Sequence, residues 1–211
     1  MSHRIQVSVA LAILLATSPF SSTLVAADPP SSVGPLMGLL KKGTLPPERS
    51  AAVAKMVCER GNEHDLAYIF SETISDTWPV ELRRETLSWL RAAAANRKVH
   101  PAGDLAPLAG LIASEGDQDL RMEAIRLAGV WKTPDTVPAL RTLAQDADAA
   151  SPVRTAAIDA LVAYGGKVAS ETVDQLLADD QPLAMRVRGI AALAGLDAGR
   201  AAAEAARVLQ Q

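Results

Sequence analysis

One phrase recurs along this chain and constrains its fold more than any other feature. An apolar residue precedes an arginine, a small residue lies three positions on, and an aliphatic residue four on. It reads Leu120-Arg121 with Ala124 and Ile125, then Val153-Arg154 with Ala157 and Ile158, then Met185-Arg186 with Gly189 and Ile190. Looser copies stand upstream, at Arg83 with Thr86 and Leu87, and at Arg49 with Ala52 and Val53. The five arginines step by 34, 38, 33 and 32 residues. Each phrase spaces its apolar positions to make one stripe on a helix.

The stretch Leu120–Gln145 shows the whole unit. Leu120, Ala124, Ile125, Ala128 and Trp131 form a first stripe, and Thr133-Pro134-Asp135-Thr136 breaks the chain. Val137, Leu140, Leu143 and Ala144 then form a second. Later copies place Val173/Leu176/Leu177 and Ala202/Ala205/Val208 at matching offsets. Neither helix of such a pair can bury its stripe alone, so each pair must stack on the next. The predicted class is all-α, an α-solenoid of about five helical hairpins, with stability summed over neighbouring interfaces. Ala124, Ala157 and Gly189 let helices approach closely, while Ile125, Ile158 and Ile190 fill the space between layers. Composition agrees: 49% of the 211 residues are hydrophobic but only 3% aromatic, which suits close helix packing better than strands.

These arginine-led phrases resemble the HEAT family, particularly its short bacterial, phycobilisome-lyase-type form. The resemblance runs from about Pro47 to the C-terminus and implies a surface for other molecules, since the fold alone does not assign a chemistry. A narrower likeness rests on Leu45-Pro46-Pro47-Glu48-Arg49, Val57-Cys58-Glu59-Arg60-Gly61 and Arg97-Lys98-Val99-His100-Pro101-Ala102-Gly103-Asp104-Leu105. These resemble the HEAT segment of large exported bacterial proteins that join a sugar-dehydrogenase-like propeller to a c-type cytochrome. The chain has no Cys-x-x-Cys-His, so the haem attachment of those proteins does not carry over. What the likeness implies is a spacer or docking role.

The N-terminus reads as an export signal. His3 and Arg4 form a short basic region, Val7–Ala16 an apolar run, and Val25-Ala26-Ala27 a small-residue cleavage site. The run is well short of the roughly 20 residues that span a bilayer. The expected division is a signal peptide over 1–27, a linker and short capping helix over 28–46, and the repeat domain over 47–211. The protein is then exported, periplasmic or secreted, and without a membrane association after cleavage. Cleavage removes Arg4 and no acid, so the net charge of −3 becomes more negative. That sign disfavours nucleic acid, which draws on a basic face, and with it the HEAT-like DNA glycosylases.

A search for chemistry finds none assembled. The single cysteine, Cys58, forms no intramolecular disulfide and sits where later copies carry Val130 and Ala163, as a packed core residue. His64 is six positions from Cys58 across a helix end, which is no nucleophile–base spacing. Glu63-His64-Asp65 lacks the defined ligand spacing of a zinc site and reads as a helix cap. No catalytic residue, cofactor or metal is therefore assigned, and the expected function is a scaffold that binds a protein partner. The alternative is an accessory module of an exported dehydrogenase or cytochrome system. Two features stay in view as sites. Arg49, Arg83, Arg121, Arg154 and Arg186 read as a structural ladder, each bonding a turn acid or carbonyl of a neighbouring repeat, in preference to a row of anion-binding groups. The loop that lengthens one step, with Arg97, Lys98 and His100, is the candidate partner-binding element, because loops interrupting a scaffold often carry function. The last helix, read as Ala201–Val208, carries only Glu204 and Arg207 as charges, less than a polar terminal cap usually has, which suggests that this end docks on something.

Overall fold

Proline marks where the helices begin. It stands just before or within the first turn of seven of them, where a missing N–H leaves no hydrogen bond unmade. In a computed structural model, residues 31–210 are described, and the signal peptide expected over 1–27, with the first residues of the expected linker, lies outside them. A short helix α1 (Gly34–Lys41) comes first. Five hairpins follow: α2 (Pro47–Arg60) with α3 (Glu63–Ile74), α4 (Val80–Arg97) with α5 (Pro107–Ala113), and α6 (Gln118–Trp131) with α7 (Val137–Gln145). The last two are α8 (Ser151–Tyr164) with α9 (Gly166–Leu176), and α10 (Leu183–Ala194) with α11 (Ala198–Leu209). A single 3₁₀ turn over Pro134–Thr136 joins α6 to α7, and no strand occurs among the described residues.

The hairpins stack in chain order. The first helices α2, α4, α6 and α8 pack each on the next, and the second helices α3, α5, α7 and α9 each pack on the first helix of the hairpin that follows. The architecture is a HEAT-like α-solenoid. Its core follows the sequence stripes: Leu87, Leu90, Leu108, Ile112, Ala124, Ile125, Ala157 and Ile158 are all essentially sealed from solvent. Two glycines set how near helices come. A Cβ on Gly129 of α6 would lie 3.0 Å from the Ala160 Cα of α8, and one on Gly189 of α10 would lie 2.9 Å from the Leu176 Cβ of α9. Among the phrase positions expected to allow close approach, Gly189 does so against α9. Gly129 is a second such point.

The regular stacking does not continue to α10. That helix is seated on α9 and α11, and a groove of about 400 Å³ separates it from α8. The sequence supplies a cause. Val162 takes the place in α8 that Gly129 holds in α6, one 33-residue step on, and it lines this groove together with Ala192 of α10, so a side chain stands where a glycine would let the helices close. The core divides accordingly, with Val173, Leu177, Leu193 and Ala201 in a cluster of their own.

Asn62 caps α3, its Oδ1 accepting from the His64 and Asp65 N–H groups while Asp65 accepts from the Asn62 N–H, a reciprocal box. In α8, Ser151 is already helical and Ala150 is the cap residue with no side-chain bond. In α11 the buried position is Ala201, and Ala202 is exposed. A helix so rich in alanine offers several nearly equivalent stripes, and packing against α10 selects one.

Candidate interaction surface

The loop after α4 begins at Lys98, whose backbone takes the left-handed conformation with φ 58°. This turn reverses the chain and lays the loop across the preceding hairpin. The Ala102 N–H donates to the Glu63 carbonyl at 3.0 Å, and Pro101 is buried. Arg97 turns inward: one guanidinium nitrogen donates to the Cys58 carbonyl at 2.7 Å and another to the Gly61 carbonyl. Those are carbonyls at the end of α2 that no helical N–H can reach. Lys98 and His100 are the exposed members of the trio. The Lys98 ammonium donates to the Ala95 carbonyl at 2.8 Å. The His100 ring stands 6.3 Å from that of Trp131, which meets Phe70 edge-on at 5.2 Å. The loop therefore presents a cation and an imidazole on a base held by Arg97.

Beneath it, Cys58 is sealed from solvent. Burial pushes its thiol from an ordinary 9.0 up to about 12, although the Arg97 charge pulls the other way. A thiol so placed is neutral and unreactive at neutral pH. Burial and the neighbouring Glu72 carboxylate likewise raise the Tyr68 phenol.

The arginine series takes different forms along the chain. Arg83 is buried, with Nε donating to the Thr73 carbonyl at 2.7 Å and a guanidinium nitrogen on Asp76. Arg121 Nε donates to the Ile112 carbonyl, also at 2.7 Å. Arg186 is buried and stands 3.7 Å from Asp179. For Arg83 and Arg121 the guanidinium closes the C-terminal end of the preceding second helix, where free carbonyls and the negative end of the helix dipole favour a cation, and Arg186 meets an acid of the turn just past α9. Arg154 reaches only the Asp146 and Ala147 carbonyls, at 3.4 and 3.5 Å. Arg49 is exposed, and no earlier hairpin stands before it.

A second set of charges was not visible as a set in the sequence. Arg141 of α7 pairs with Glu171 of α9, and Asp174 of α9 with Arg200 of α11 at 2.5 Å. On the first helices, Arg84 of α4 meets Asp119 of α6 at 3.2 Å, and Asp159 of α8 meets Arg188 of α10 at 2.7 Å. The mixed signs along the second helices are thus two halves of cross-repeat pairs. Only their separation of about one repeat could have announced them. Among the described residues no group of His, Cys, Asp and Glu is placed to hold a metal ion, and no helix is long and apolar enough to cross a membrane.

At the α10 end the surface becomes apolar. Leu183 and Val187 are 62% and 52% exposed on the outer side of α10, at positions where α6 carries Gln118 and Met122.

No curated protein and no solved structure matches the chain. Residues 105–194, from the approach to α5 through the end of α10, match the family of HEAT repeats.

Proposed function

We propose that this protein is an exported scaffold that binds a protein partner and performs no catalysis itself. The match of residues 105–194 to HEAT repeats carries this reading, because stacked helical hairpins make extended surfaces suited to other proteins. The loop over 97–104 is the proposed docking element, with Lys98 and His100 presented outward and Arg97 fixing the loop to the end of α2. Export rests on the N-terminal signal pattern read from the sequence.

The test is affinity capture of the tagged chain from the exported fraction, beside a Lys98→Ala/His100→Ala variant of unchanged melting temperature. A partner recovered by the native chain and lost by the variant supports the scaffold and places its contact. A cytochrome or sugar oxidoreductase among such hits would favour the narrower likeness to exported dehydrogenase–cytochrome proteins. Recovery of the same proteins by both chains overturns the loop assignment, and recovery of none overturns the scaffold reading.

A further inference from the structure

Where α10 parts from α8, the opposite side of the seam opens into a cavity of about 490 Å³, within the range of small-ligand sites. Ala178 after α9 and Ala184 and Met185 of α10 give it accessible apolar surface above the buried Ile158, Leu161 and Leu176, and Arg154, Gln145 and Gln175 supply polar groups.

Arg154 is the unusual member of its series. Arg83 and Arg121 each commit Nε to a carbonyl at 2.7 Å, and Arg83 and Arg186 also meet carboxylates. Arg154 uses Nη1 alone, for two carbonyls at the limit of hydrogen-bond range. Among the described residues it enters no ion pair, and its Nε and Nη2 donate to no protein group. The other cation of the cavity, Arg141, is already paired with Glu171. Asp180 also lines the cavity, from the exposed turn before α10.

We propose that this cavity binds an aliphatic carboxylate. The carboxylate takes the Nε–Nη2 edge of Arg154 as a two-point pair, and the tail lies on Met185 and Ala178. Two sources supply that chemistry: a free aliphatic acid, or the C-terminal residue of a protein chain ending in an apolar side chain. The proposal does not depend on the scaffold reading, because direct titration tests it without any partner.

The experiment is calorimetric titration of the full chain with sodium octanoate, N-acetyl-L-leucine and octanamide, repeated on Arg154→Gln, Arg154→Lys and Arg200→Gln. Octanoate or N-acetyl-L-leucine is expected to bind saturably at one site, the tighter of the two identifying the source. Octanamide keeps the tail without the charge and should bind at least about tenfold more weakly. Arg154→Gln should weaken the carboxylate at least about tenfold, the loss expected for one charge-assisted bond. Arg154→Lys should fall between Arg154→Gln and wild type, while Arg200→Gln, whose pair lies outside the cavity, should bind as wild type does. Melting curves that agree within about 2 °C exclude unfolding as the cause; should Arg154→Gln melt early, Arg154→Lys and octanamide decide the matter. Absence of saturable carboxylate binding, equal affinity for octanamide, or undiminished affinity in both Arg154 variants overturns the proposal.

Discussion

Gly129 and Ala160 face each other across the α6–α8 seam so closely that a Cβ added to Gly129 would stand 3.0 Å from the Ala160 Cα. The obstructing atom belongs to the backbone and cannot swing aside. Gly129→Val adds three carbons where not one fits, so α6 and α8 must separate. Overpacking of this kind costs about 1–3 kcal/mol, against less than about 1 kcal/mol regained in helix propensity. Thermal unfolding should fall by roughly 2–4 °C per kcal/mol for a chain of this size. An unchanged melting temperature would mean that the two helices are not held at this distance in solution.

Arg83 and Arg49 occupy the same place in their repeats but not in the structure. Arg83→Ala removes the bond to the Thr73 carbonyl and the partner of Asp76. A hydrogen bond to a charged group contributes about 1.5–3 kcal/mol. Asp76 is mostly exposed, so water recovers much of its loss, and about 2 kcal/mol is expected from urea denaturation. Arg49→Ala should stay within about 0.5 kcal/mol, as exposed surface changes do. Equal effects of the two would contradict the burial of Arg83.

Lys132 ends α6 with φ 55°, a left-handed conformation that suits glycine better than any side chain. Lys132→Gly should therefore stabilise the protein by about 1 kcal/mol, read as a shift in denaturation midpoint at constant slope. A loss of stability would show that the lysine stem covers apolar surface whose contribution exceeds the backbone strain.

The Cys58 thiol gives stability an alkaline limit. Its folded value, about 12, lies above the ordinary 9.0, so above about pH 9 the unfolded chain loses a proton that the folded chain keeps. Unfolding is then favoured by about 1.4 kcal/mol per pH unit until the folded thiol titrates. Cys58→Ala removes this slope while leaving that of Tyr68. The stability difference between wild type and variant should narrow as pH rises from 8 to 10.5, and a constant difference would place the thiol nearer to solvent.

The hairpin of α10 and α11 shares a small core with the end of α9, where Val173 and Leu177 meet Leu193 and Ala201 apart from the main core. Such a unit opens without the rest. Amide exchange should show protection in α10 and α11 lost before that of α6 and α8, which sit within the main core. Simultaneous loss would mean that the seam to α8 is closed in solution.

The helical stripes, the Asn62 cap and the arginine at the head of each repeat were legible because each depends on residues within one or two turns of one another. The direction of Arg97 was not, since its acceptors at Cys58 and Gly61 lie on another hairpin and are backbone atoms. Nor was the opening beside α10. The step from Arg154 to Arg186 differs by one residue from the step before it, yet Val162 in place of a glycine changes how the helix behind it can seat. Ala202 marks the opposite case, an alanine-rich helix whose stripe only a neighbour can choose.

The cross-repeat pairs also act as an address. Helix α9 offers two acids, Glu171 and Asp174, one answered by Arg141 from the helix before and the other by Arg200 from the helix after. On the first helices the order of signs reverses between Arg84–Asp119 and Asp159–Arg188. Exchanging two hairpins would part these pairs. The repeats follow one plan but differ in charge, so each copy is written for one place in the row.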